Sequence, residues 1–150
     1  MGDALRFLVE LTAEESLRLL GSVSMGRVVF TMDAMPAIRP VNHIVDDGAV
    51  VICSHEGAAI VKVAGGNAEE VVVAYEADAF DPADRLGWSV IVTGVGSLVT
   101  DPDAIVRYRE LIRPWVRGPM DYVVRIRPEM VTGFRLTPPE GGDDSASGPS

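Results

Sequence analysis

The stretch "PAIRPVNHIVDDGAVVICS", Pro36 to Ser54, decides how this chain folds. Two apolar runs rich in β-branched residues flank Asp46, Asp47 and Gly48, the composition of a tight turn between antiparallel strands. Which side chains then share a face depends on the turn's length. A three-residue loop sets Arg39 opposite His55 and Val41 opposite Cys53, all on one face with His43. A loop of two or four residues separates them, because the side-chain period of a strand is two. Pro36 and Pro40 each lack an N–H, which marks an edge or irregular strand.

Beyond Ser54 the chain turns through His55, Glu56 and Gly57 into an Ala-rich run, Ala58 to Ala64, that reads as a helix. Strand, small polar turn and helix start together gather free N–H groups and a helix dipole, the common backbone device for an anion. The turn reads three ways: a phosphate cradle, a catalytic turn carrying Cys53 and His55, or a plain connection. On the N-terminal side, Thr12 and Glu15 match a capping box for a short helix ending near Leu20. "GRVVFT" (Gly26–Thr31) is a strand that the "MDAM" turn joins to the hairpin.

Further on, "EVVVAYEAD" (Glu70–Asp78) is an almost unbroken apolar strand of the kind buried on both faces. "DPADRLG" is a polar loop or single helical turn. "WSVIVTGVGSLVTD" is a long strand whose Gly94 and Gly96 mark a bulge or a close backbone approach. Asp101 and Pro102 supply the N-cap and first position of a helix carrying Ile105, Leu111 and Ile112. "YVVRIRPEMVTGFRL" (Tyr122–Leu136) is the last strand. The expected fold is mainly β (α+β), an antiparallel β-barrel with flanking short helices, over a single domain of residues 1–137. The polar stretch 138–150 reads as a disordered acidic tail.

At 150 residues the chain fits one domain, burying roughly two-thirds of its unfolded surface. Its residues are 47% hydrophobic, yet no run approaches the ~20 that a membrane span needs. The N-terminus has neither a basic start nor an apolar core, so a cytoplasmic protein is expected, with no membrane partner. The single cysteine, Cys53, excludes an internal disulfide framework. A net charge of −9 repels nucleic acid. Lys62 is the one lysine, so an anion site must use it, arginines or backbone N–H groups.

Cys53, His55 and His43 would make the sharpest metal site, but no fourth ligand accompanies them and no metal is expected. As a nucleophile Cys53 has no visible activator, since residues two apart on a strand do not aim at one another. Arg39, between Ile38 and Pro40, needs an anionic partner. Asp46, Asp47 or Glu56 could supply it, and so could a ligand phosphate. Asn42 could hydrogen-bond a planar heterocycle or cap a turn. Trp88 could wall a ligand or fill the core.

The motifs "GRVVF", "P.IRPVN..VDDG" and "R.RPE.VTG.R", with "GWSVIVTGVGSLV" between them, make the chain resemble the pyridoxamine-5′-phosphate-oxidase-like split-barrel family. The likeness is to its nitroimidazole-resistance-like flavin branch and runs from about Leu11 to Leu136. The resemblance implies a six-stranded split barrel and a homodimer with equivalent sites at the subunit interface. It also implies FMN, or in some relatives the deazaflavin F420. By the same resemblance Arg39, Pro40, Val41 and Asn42 run along the flavin ring, and the turn from Ser54 to Gly57 receives the phosphate. Trp88 closes the pocket from the other subunit. Relatives that bind FMN firmly resemble one another in having an arginine where this chain has Cys53 and a lysine where it has Ala59. Lys62, one helical turn beyond Ala59, stands in for part of that charge. The implied function is a flavin-dependent oxidoreductase acting on a small conjugated acceptor, with no catalytic side chain assigned. The alternative is a split-barrel dimer that has lost flavin and serves as a small-molecule binding or regulatory module.

Overall fold

The computed structural model describes residues 7–54, 60, 70–113 and 122–139. Seven strands are present among them: β1 Phe7–Leu11, β2 Met25–Met32, β3 Met35–Asp46, β4 Ala49–Ser54, β5 Glu70–Asp81, β6 Leu86–Leu98 and β7 Tyr122–Thr137. Two described helices, α1 Ala13–Leu20 and α2 Pro102–Ile112, accompany them. The predicted helix over 58–64 lies outside the described residues except for Ile60, which is helical and fully buried. Residues 140–150 of the expected tail also lie outside them.

All strand pairs are antiparallel, and the ladders run β7–β4–β3–β2–β5–β6 and back to β7, a closed circuit of six strands. The seventh strand, β1, is a late addition to the expected set. It lies along the second half of β7, where Phe7 faces Thr137 and Leu11 faces Gly133. Inward positions on the circuit alternate with outward ones. Val28, Phe30, Val50, Ile52, Val71, Val73, Val90, Val92, Val124 and Ile126 meet inside as the core. A second cluster lies outside the barrel wall, where Tyr108 and Ile112 of α2 cover Val51, Cys53 and Val123.

Local chemistry accounts for the joints. The hairpin turn after β3 is Asp47–Gly48, with Asp46 paired to Ala49 and both turn residues at positive φ, 50° and 75°. This is the two-residue geometry that a strand's right-handed twist favours. Thr12 Oγ1 accepts the Glu15 N–H at 3.1 Å to start α1, and Asp101 Oδ2 accepts the Ala104 N–H at 3.1 Å to start α2. Gly94 sits at a bulge between β6 and β7, where a Cβ would collide with the Arg127 carbonyl. Gly96 has only ordinary neighbours, the nearest being Val124 Cγ1 at 3.4 Å. The expected close approach therefore holds for Gly94 alone.

One expectation for β5 is corrected. Its residues alternate between buried and exposed, with Val71, Val73, Tyr75 and Ala77 inside and Val72 exposed at 68%. Its outward face sets exposed Val72 and half-buried Ala74 among the acids Glu70, Glu76 and Asp78.

Candidate functional site

Strand β3 changes character halfway along. From Met35 to Asn42 it pairs with β2, and from Asn42 to Asp46 it pairs with β4. Its first half therefore has no described strand on the β4 side. Backbone groups of alternate residues point to opposite edges of a strand. The His43 N–H donates to the Ser24 carbonyl at 3.0 Å, so odd-numbered residues address the β2 side. Even-numbered residues address the open side. Pro36 and Pro40 are even, so the two missing N–H groups fall where no strand is there to accept them. The open edge presents the carbonyls of Pro36, Ile38 and Pro40 with one N–H, that of Ile38. The sequence's expectation of an edge is met on half a strand.

The two-residue turn settles the faces. Asn42 pairs with Cys53 and His43 with Ile52. Cys53 thus shares a face with Asn42 and Pro40, and not with Arg39, Val41 and His43, so the shared-face cluster that a three-residue loop would build does not form. The Cys53 thiol is buried in the apolar cluster beneath α2. An arginine there would have to bury its guanidinium among Val51, Tyr108 and Val123, at a large desolvation cost. No group of three or more metal-ligating side chains occurs among the described residues.

Continuing the β3–β4 alternation, Ser54 turns its side chain to the same face as Ile52, Val41 and Arg39. Arg39 and Ser54 therefore flank the opening where β4 ends and the open half of β3 begins. Arg39 is half-buried, donates from Nη1 to the Ile38 carbonyl at 2.9 Å, and lies 5.8 Å from the centre of the Phe30 ring. Ser54 is buried, and Pro40 is exposed. Val41 belongs to the core. Asn42 is buried, and its Nδ2 donates to the Ser24 carbonyl at 3.0 Å. Trp88 is 7% exposed within the barrel's own core, so it fills that core rather than standing as an exposed wall. His55, Glu56, Gly57, Ala59 and Lys62 lie outside the described residues.

Three polar networks went unread in the sequence. Asp46, a possible counter-ion for Arg39, is occupied elsewhere. Tyr108 donates to its Oδ2 at 2.7 Å, Arg125 Nη1 donates to the Tyr108 hydroxyl at 2.9 Å, and Arg107 reaches the same Oδ2 at 3.9 Å. This ties α2 to the β3–β4 hairpin. Inside the barrel, His43 Nε2 donates to the Leu20 carbonyl at 2.8 Å, and the Tyr75 hydroxyl bonds to His43 Nδ1. Burial lowers the His43 pKa, partly offset by the Leu20 carbonyl, and raises that of Tyr75. Tyr75 was readable only as one more large residue in an apolar strand, and its partner is 32 residues away in sequence. On the outer face, Arg27 Nη1 lies 3.1 Å from Glu76 Oε1 and 4.0 Å from Asp78 Oδ2. Burial and neighbouring Asp78 push the Glu76 carboxyl up to about 7 despite Arg27.

With the geometry described, comparison with known proteins places the chain. A family model, that of pyridoxamine 5′-phosphate oxidase, matches residues 12–135. An uncharacterized protein of Mycobacterium tuberculosis is 52% identical over 132 residues, 87% of each chain. A crystal structure from Corynebacterium glutamicum, described provisionally as a pyridoxamine 5′-phosphate oxidase, is 34% identical. It covers 92% of this chain and 98% of that one, at a TM-score of 0.72. An FAD-binding protein from Mycobacterium smegmatis is 32% identical over 86% of this chain and 98% of its own, at a TM-score of 0.63. The half-open β3 and the closed ladder circuit are accordingly those of a split barrel, and the chain belongs to the pyridoxamine 5′-phosphate oxidase family.

Proposed function

We propose that this protein is a flavin-dependent oxidoreductase that holds FMN, or the deazaflavin F420, against the open edge of β3 and acts on a small conjugated acceptor such as a quinone or nitroaromatic. The observation that carries the reading is that edge. It offers carbonyls at Pro36, Ile38 and Pro40 and an N–H at Ile38, the mixture of acceptors and donor that suits the polar rim of a flavin ring. Arg39 and Ser54 beside it fit an anionic tail, with the guanidinium permanently charged. Family membership and the 32%-identical FAD-binding protein support the same reading. A bound flavin supplies the hydride and electron chemistry itself. The chain's part is to hold the ring edge, neutralise the tail and keep water from the ring, and no described side chain on that edge is suited to act as an acid or base.

We also infer a homodimer with the sites at its interface. A row of outward residues crosses five strands, Ile38–Val29–Ala74–Thr93–Met130, flanked by Val72 and Ile91. Of these, Val72, Met130, Ile38 and Ile91 are 68%, 64%, 57% and 46% exposed. A second copy is the cover that the split-barrel resemblance implies for such a face.

Cys53 favours a second reading. Where the FMN-binding relatives place a cation, this chain buries a thiol under α2, which suits a dimer that takes a ligand other than flavin. One experiment separates the two: purify the full chain, record its visible spectrum, then titrate FMN, FAD and F420. Yellow protein, or saturable quenching of flavin fluorescence that Arg39→Ala weakens at least severalfold, supports the enzyme. A colourless protein that ignores all three overturns it in favour of the binding module.

A further inference from the structure

The barrel is split where β2 and β5 part. Their ladder is short, Arg27–Val29 against Ala74–Glu76, and past Glu76 strand β5 continues to Asp81 with β6 alone. The gap opens into a cleft of about 570 Å3, within the range of small-molecule pockets. The loop 21–25 after α1, Arg27 of β2, Asp78 of β5, and Leu111 and Ile112 of α2 form its walls. None of Arg39–Asn42, Ser54 or Trp88 lines it.

On the outer face at the cleft Glu76 and Asp78 outnumber Arg27, while Arg18 and Arg109 stand in the last turns of α1 and α2. Both described helices bring their C-terminal ends to the cleft, α1 through Gly21 and α2 through its last two residues. Each such end carries roughly half a negative charge. Asp78 lines the cleft, and Glu76 is next but one to it on the same outer face of β5. Against these stands Arg27, the one cation among the lining residues. Burial first, and Asp78 second, raise the Glu76 carboxyl to about 7 against the pull of Arg27. Burial holds His43, the remaining titratable residue in the wall, below its ordinary value, with both ring nitrogens engaged. The rest of the wall mixes Ser22 and Ser24 with Val23, Met25, Ile44, Leu111 and Ile112.

From this geometry we propose that the cleft binds a small organic cation, a protonated amine carried on an apolar body, with the ammonium group against Asp78 and the body against Met25, Leu111 and Ile112. An ammonium group there answers the carboxylates and both helix ends at once, while the body covers apolar surface that is otherwise wet. The site is separate from the β3 edge, so its occupation and flavin binding are independent measurements.

Phenethylamine, phenethyl alcohol and 3-phenylpropionate share one body and differ in the head group. Each is titrated into the 15N-labelled full chain at pH 8 while the amide resonances are followed. Phenethylamine should shift residues 22–25 and Asp78 saturably and bind more tightly than the alcohol, by about threefold to fivefold for a partly exposed ion pair. Phenylpropionate should leave these resonances in place. Asp78→Asn, at a side chain 37% exposed and outside the core, should remove the amine's advantage and leave the alcohol's affinity unchanged. Lowering the pH to 6 should weaken the amine as Glu76 takes up its proton. Equal affinity for amine and alcohol, an unaltered amine affinity in the asparagine variant, or shifts that map elsewhere would overturn the proposal. So would no shift at millimolar concentrations.

Discussion

Tyr75 brings a hydroxyl into the barrel interior, and two neighbours fix where it goes. His43 Nδ1 takes the hydroxyl hydrogen, because Nε2 has already committed its own to Leu20 at the end of α1. Gly26 leaves room, since a Cβ there would stand 2.5 Å from the Tyr75 oxygen and 2.7 Å from the Glu76 carbonyl. Tyr75→Phe keeps the ring but leaves a buried imidazole nitrogen without its donor, so the variant should lose about 1–3 kcal/mol in urea unfolding. An unchanged midpoint would mean that the pair does not form. Titration tests the polar groups on either side of the wall. Burial holds His43 below its ordinary 6.5, so its contribution to stability is present above pH 6.5 and is lost as the pH falls toward the folded value. Glu76 behaves oppositely. Its carboxyl is raised from 4.5 to about 7, so its contribution is complete below pH 4.5 and disappears as the pH rises through 7. Glu76→Gln should therefore flatten the fall in melting temperature between about pH 4.5 and 7 while keeping the loss that His43 produces on the acid side. If the two curves remain parallel, the raised carboxyl is not real.

At the scale of elements, hairpins and caps were legible because their signals are local. Asp46-Asp47-Gly48, Thr12 with Glu15, and Asp101 with Pro102 each state their structure within four residues. What could not be read was anything that depends on a count of one. A loop of two residues instead of three moved Cys53 to the face opposite Arg39 and joined Ser54 to Arg39 instead. The open half of β3 was visible through its prolines, but which side is open needed the ladder with β2. β5 was misread for a different reason: Val72 and Ala74 on its outer side complete an unbroken apolar run that looks, in one dimension, like burial on both sides. The glycines of β6 divide in a way that composition could not foretell. Gly94→Ala drives a methyl into the Arg127 carbonyl at the bulge, with the carbonyl carbon 2.9 Å away. It should cost on the order of 2–4 kcal/mol in thermal or chemical unfolding, comparable to other severe backbone and packing defects. Gly96→Ala meets only side chains and a carbonyl at ordinary distances and should be close to neutral or slightly stabilising. Equal costs at the two positions would show that the bulge is misplaced.

The whole molecule joins a closed ladder to an uncovered outer face. If a second copy covers that face, as proposed, replacing Val72 and Met130 together with glutamate should give a folded monomer by sedimentation, with the wild-type circular dichroism spectrum retained. A wild-type chain that sediments as a monomer at micromolar concentration would remove both the interface and any site shared across it. Closure of the circuit depends on β7, whose first residues pair with β4, whose later residues pair with β1, and whose other edge pairs with β6 along nearly its full length. This strand is the last in chain order, so β1, β4 and β6 all await an element made after them. Synthesis therefore proceeds for most of its course without a finished barrel, with three strand edges unsatisfied and the future core open to solvent. Folding of this barrel then awaits β7, slow because its decisive contacts join distant residues, and the interval before β7 docks is when chaperones and proteases have their access.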